Sequence, residues 1–127
     1  MKNTFKKVER LNKKKYIQEL FKRGSSFYLY PFKILFLTAS EVEDCDNPFH
    51  QILISVPRRK FKKAVDRNTI RRRVREAYRL NKAALNTPQK LLIAYIYTAK
   101  DILSYKEIEN KLIRSLDRLL QETQKNK

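Results

Sequence analysis

The apolar positions of this chain change period several times, and each change marks an element. Leu11, Tyr16, Ile17, Leu20 and Phe21 recur at helical spacing. They predict a first helix over about 12–23, with Asn12 as N-cap, Leu11 and Tyr16 as a hydrophobic staple, and Gly24 in the left-handed position that closes it. Residues 26–39 are rich in aromatic and branched side chains and read as a strand, with Phe32, Ile34 and Phe36 on one face and Lys33, Leu35 and Leu37 on the other. Pro31 marks an edge position or an interruption. Residues 41–48 form a polar turn region, and residues 51–56 a second strand that an antiparallel hairpin joins most simply to the first. Pro57 stops it. A helix follows over 66–86, ended by Thr87-Pro88. Residues 90–97 are almost continuously apolar, as in a strand buried on both faces. The last helix spans 104 to about 124, with a Ser104/Glu107 capping box and an Ile108, Leu112, Leu116, Leu119, Leu120 stripe. The order is α-β-β-α-β-α: an α+β fold, a small mixed sheet with packed helices. One domain fills residues 1–127, with flexible ends expected over 1–10 and 122–127.

Charge changes the picture most. Thirty Lys and Arg face thirteen Asp and Glu, a formal net charge of +17 over 127 residues. The excess is concentrated in two blocks: residues 1–23 carry nine basic and two acidic side chains, and residues 57–82 carry twelve and two. Residues 24–56 carry one basic residue, Lys33, against four acids. Such segregation is unlike an ordinary soluble surface and points to a polyanionic partner. The composition excludes other classes. A single Cys, Cys45, allows no intrachain disulfide. No apolar run approaches membrane-spanning length, and no apolar core follows the basic start, so neither membrane nor secretory signal is expected and the cytoplasm is.

Projected on a helical wheel, Arg67, Asn68, Arg71, Arg72, Arg75, Arg79 and Lys82 share a sector of roughly 140°. Ile70, Val74, Ala77, Tyr78, Ala84 and Leu85 share a neighbouring sector of about 120°. Arg73 lies off the basic face. Like charges three and four apart repel, and only Glu76 and a capping Asp66 lie nearby to relieve them, whereas a merely solvated helix would alternate sign. Arginine suits forked contact with phosphate. Arg58, Arg59, Lys60, Lys62 and Lys63 add charge at the helix entrance, and Asn68 fits either the basic face or a local cap. Aromatics on the first helix and strand, Tyr16, Phe21, Phe27, Tyr28, Tyr30, Phe32 and Phe36, are mostly core, with a minority placed to stack on unpaired bases.

Catalytic equipment is missing. His50 and Cys45 make no metal site, and the acids Glu41, Glu43, Asp44 and Asp46 cluster in one loop instead of converging from separate elements. No Ser-His-Asp or Walker-type spacing appears, so no catalytic and no metal-ligating residue is assigned.

Ser55-Val56-Pro57-Arg58-Arg59, followed by Ala64-Val65-Asp66-Arg67-Asn68-Thr69-Ile70-Arg71-Arg72-Arg73-Val74-Arg75-Glu76-Ala77-Tyr78-Arg79, resembles the signature of the bacterial ribonuclease P protein family. Arg10-Leu11 and Leu20-Phe21-Lys22-Arg23-Gly24 resemble that family's first helix. The resemblance implies a left-handed βαβ crossover and a protein that joins a catalytic RNA to remove the 5′ leader of precursor tRNA. It further implies that the RNA holds magnesium and performs the hydrolysis, with no cofactor on the protein itself. Carried over by position, Arg67, Asn68, Arg71, Arg72 and Arg75 face the RNA, and Arg58 and Arg59 match the basic pair after the second strand. Lys60, Lys63 and Arg79 extend that surface by charge and spacing. Phe21 matches an aromatic of the leader cleft, where Ile17 stands at a position often Phe and Tyr16 adjoins it. Thr69 replaces a frequent Arg, and Lys60-Phe61-Lys62-Lys63 replaces a Gly-containing link. The expected partners are the ribonuclease P RNA and precursor tRNA, without membrane or DNA. Two other readings fit the composition: a structural RNA-binding protein such as a ribosomal protein, and a helix-turn-helix DNA binder using residues 66–86.

Overall fold

The computed structural model describes residues 9–43, 45 and 49–125. Most of the expected flexible N-terminus (1–8), the last two residues, and Asp44 and Asp46 of the acidic loop lie outside the described residues. The elements are α1 (Lys14–Arg23), β1 (Ser25–Leu29), β2 (Phe32–Thr38), β3 (Gln51–Ser55), α2 (Ala64–Asn81), β4 (Leu91–Tyr97) and α3 (Tyr105–Lys125).

The sheet order is β1-β2-β4-β3. β2 pairs antiparallel with β1 and β4, and β3 pairs parallel with β4. The single strand expected over 26–39 is thus two, folded at Tyr30–Pro31, whose peptide is cis. The hairpin expected between β2 and β3 does not form, because β4 lies between them. The burial patterns explain why. Six of seven β4 residues are buried, so β4 must have neighbours on both sides and layers on both faces. β3, half-buried from Leu53 to Ser55, takes the edge.

Alternation along the strands divides the core. Phe32, Ile34 and Phe36 of β2, with Leu91, Ile93, Tyr95 and Tyr97 of β4, meet the stripes of α2 and α3. Leu35, Leu37, Leu92 and Ala94 meet Leu11, Tyr16 and Leu20 of the α1 segment. Inside this core the Tyr95 hydroxyl donates to Ser115 Oγ at 2.7 Å, and Ser115 donates to Leu112 O. Burial drives the Tyr95 phenol well above its usual range. The Ser104/Glu107 capping box forms as expected, with Glu107 N–H donating to Ser104 Oγ at 3.2 Å and Ser104 Oγ donating to Glu107 Oε1 at 3.0 Å.

Three local expectations give way. Asn12 is not the cap of α1; Lys13 holds that position without a side-chain cap bond. Asp66 likewise lies inside the first turn of α2, whose N-cap is Lys63. Gly24 has φ −67°, outside the left-handed region. It is glycine for close approach: a Cβ there would lie 2.3 Å from Leu20 O and 3.1 Å from Phe36 O. Gly24→Ala should therefore lower stability by about 1–3 kcal/mol, read as a fall in urea midpoint. An unchanged midpoint would refute the close approach.

Candidate nucleic-acid interface

α2 buries Ile70, Val74, Ala77 and Tyr78 against the sheet and α3, as its wheel requires. Ala84 departs from that stripe: it lies exposed in a 3-10 turn that follows the helix. The opposite sector carries the arginines, in distinct circumstances. Arg67 sits at the sector boundary and bends back, donating through Nη1 to Phe61 O at 2.8 Å and Lys62 O at 2.9 Å. It braces the loop that carries Arg58, Arg59 and Lys60, all exposed. Lys60 grips Thr98 O at 2.6 Å, fixing that loop to the end of β4. Lys63 and Arg72 are exposed. Asn68 is inside the helix, not a cap, and its Oδ1 accepts from Arg71 Nη1 at 3.2 Å. Arg79 pairs with Glu76, which holds the Glu76 carboxyl below its usual range. Arg73, off the face, donates to Leu103 O at 2.6 Å and ties α2 to the β4–α3 loop.

Lys82 is a correction to the wheel. Its ammonium donates to both carboxylate oxygens of buried Glu9, at 2.8 and 3.0 Å. It is committed inside the molecule because the helix tightens into the 3-10 turn at this point.

Beside α2 the edge of β3 is partly covered by the chain before α1: Arg10 bridges to Ile52, and Leu11 N–H donates to Ile52 O at 2.9 Å. An open slot of about 300 Å³ results, lined by Arg10, Asn12, Ile52, Leu53, Ile54, Arg71 and Arg75. Arg75 Nε is buried and has no hydrogen-bond partner among the described residues. A buried guanidinium nitrogen left unpaired is a donor in want of an acceptor. Spacing does not assign Arg10 and Asn12 to this face, since a chain crossing beside an edge strand carries no periodic signal.

On the other face of the sheet α1 covers only part of the surface. Ile17 packs at the margin with Leu53 and Ile96. Phe21, one helical turn further, is 50% exposed. On the same face the cross-strand row Tyr28–Lys33–Ile96–Ser55 holds the exposed Tyr28 and Lys33 and the half-buried Ile96 and Ser55. Tyr16 does not join them. Its ring is 6% exposed in the core, with the Lys13 ammonium 5.2 Å from its centroid. Leu53 of the edge strand β3 belongs both to this face and to the lining of the arginine slot.

His50 has a structural role that its sequence context does not reveal. Nε2–H donates to Leu85 O at 3.2 Å, and Nδ1 accepts from Leu91 N–H at 3.0 Å, a pattern that requires the neutral ring. Burial, then the Lys90 charge, push its pKa down to about 4. The unfolded chain takes up this proton near pH 6.5 and the folded chain resists it. Stability should thus be complete above pH 6.5 and fall by about 2 kcal/mol between pH 7 and 5. His50→Gln should remove that part of the slope in denaturant titrations; an equal slope would contradict the clamp. Among the described residues no group of three His, Cys, Asp or Glu side chains converges as a metal site, and no helix is long and apolar enough to cross a membrane. α2 is preceded by a strand and a loop instead of a short helix, which removes the helix-turn-helix reading.

The sequence model of the family described as Ribonuclease P matches residues 5–120. The ribonuclease P protein component of Porphyromonas gingivalis is 32% identical over 118 residues, covering 89% of this chain and 84% of that protein. That of Petrotoga mobilis is 29% identical over 123 residues, covering 91% and 95%. Among solved structures, the RNase P protein of Thermotoga maritima superposes with a TM-score of 0.70 at 28% identity, over 87% of this chain and 96% of that one. The match spans every element from α1 to α3 and leaves the ribosomal-type alternative unfavoured. The fold is thus shared, and with the family match over most of its length the chain belongs to the bacterial ribonuclease P protein family.

Proposed function

We propose that this chain, as the protein subunit of ribonuclease P, grips the catalytic RNA with α2 and guides the 5′ leader of precursor tRNA along the cleft beside α1. Hydrolysis belongs to the RNA, which holds the magnesium. The protein contributes charge and position, and works in the cytoplasm. The observation that carries this reading is the slot where Arg71 and Arg75 meet Arg10 and Asn12, with Arg75 Nε buried and unpaired among the described residues. A phosphate oxygen supplies the acceptor that the protein does not. Phe21 supplies an exposed ring for an unpaired base, while Tyr16 serves by anchoring α1.

The test is reconstitution. Adding the chain to ribonuclease P RNA at low magnesium should raise precursor cleavage and tighten precursor binding. No effect on either would overturn the proposal.

A further inference from the structure

We infer that Tyr28 and Lys33 form a seat for one unpaired nucleotide of the leader, the base on the ring and its phosphate on the ammonium. The inference rests on the leader-cleft reading and adds two residues to it.

Tyr28 and Lys33 are direct cross-strand partners in the β1–β2 hairpin, on the face that α1 leaves open. Side chains so paired lie within reach of a single small ligand. Tyr28 is 59% exposed, more than any other aromatic residue among those described. Its hydroxyl is 3.2 Å from Thr98 Oγ1, just past the end of β4. β2 lies between β1 and β4. With strands about 4.8 Å apart, a tyrosine bridging that interval must lie extended across β2. The tether holds the ring's long axis in place, and at 59% exposure the ring keeps open surface on which a base can stack.

The tether also fixes what the platform reads. Thr98 Oγ1 donates to Pro31 O at 2.9 Å, so the tyrosine hydroxyl is the donor to Thr98. Its proton is engaged and cannot select a base edge. The ring therefore stacks without sequence preference, as suits a subunit facing many precursors.

Lys33 supplies the charge. It is the one basic residue between positions 24 and 56, a stretch with four acids. It stands exposed in the cross-strand row, between Tyr28 and Ile96. Lys60, held to Thr98 O, adds a second cation at the same end of the sheet. A ring flanked by ammonium groups matches a nucleotide better than an apolar peptide.

The experiment uses holoenzyme assembled with ribonuclease P RNA, and two probes: a precursor tRNA with a single-stranded leader and the same tRNA without one. Tyr28→Thr keeps a hydroxyl and a strand-favouring side chain while deleting the ring. It should weaken binding of the leader-bearing probe about fivefold or more and leave the leaderless probe unchanged. Tyr28→Phe keeps the ring but loses the tether, and should weaken leader-dependent binding clearly less than Tyr28→Thr. Lys33→Gln, at an exposed position that folding does not need, should flatten the salt dependence of leader-dependent binding by about 0.7 in log–log slope. If the parent discriminates between the probes while Tyr28→Thr and Lys33→Gln both match it, the seat is wrong and the cleft stands. If the parent itself fails to discriminate, the cleft reading falls and takes the seat with it.

Discussion

Replacing Arg71 and Arg75 together by alanine is expected to weaken binding of ribonuclease P RNA roughly a hundredfold, with the fold intact. Each guanidinium that meets a phosphate makes a charge-assisted hydrogen bond worth about 1.5–3 kcal/mol. Both line the slot at the β3 edge, and neither belongs to the apolar stripe of α2. The second signature is in salt. Each phosphate that no longer meets a guanidinium takes about 0.7–0.9 from the slope of log affinity against log salt, so the double variant should have a slope shallower by about 1.4–1.8. Affinity measured from low to moderate salt separates this from mere loosening of the protein, which would leave the slope unchanged. Helicity by circular dichroism should match the parent. A double variant with parental slope would show that these side chains do not meet phosphate.

Lys82→Met is expected to have the opposite profile, a large loss of stability with a small effect on RNA binding. Glu9 is almost wholly buried, and its carboxylate takes two hydrogen bonds from the Lys82 ammonium. Methionine keeps the apolar stem but removes the ammonium and its two hydrogen bonds from that carboxylate. Removing one partner of a buried ion pair destabilises by about 3–5 kcal/mol, and partial exposure of Lys82 places this case at the lower end. Urea unfolding at neutral pH should read a loss of about 3 kcal/mol. Glu9→Gln with Lys82→Met should recover part of it, since the buried charge is then gone. A single variant as stable as the parent would place Lys82 on the RNA face after all.

The contrast between these residues shows where the sequence is legible. The buried stripe of α2 follows directly from helical period, as do the two-sided burial of β4 and the capping box of α3. Arg71, Arg72 and Arg75 are assignable to one face for the same reason. Lys82 satisfies the same wheel and yet points to Glu9, because its partner lies 73 residues away and the helix changes pitch at its end. The resemblance brings both Tyr16 and Phe21 to the leader cleft, yet five residues apart on a helix they point about 140° apart, and packing buries the first and exposes the second. The adjacency expected of β2 and β3 fails because local connection favours hairpins, whereas an entirely apolar strand demands the centre of the sheet. That demand is written in residues 91–97 themselves. Nothing local, however, announces that Arg10 and Asn12 lie beside Arg71 and Arg75, or that His50 joins two distant loops.

The central claim is that α2, the loop before it and the slot shared with Arg10, and not the α3 side of this basic surface, meet the ribonuclease P RNA. Arginine modification read by mass spectrometry tests it on the unaltered chain. On assembly with ribonuclease P RNA, Arg58, Arg59, Arg71, Arg72 and Arg75 should become protected, while Arg114, exposed on α3, should react as in the free protein. Protection of Arg114 with the α2 arginines still reactive would contradict it.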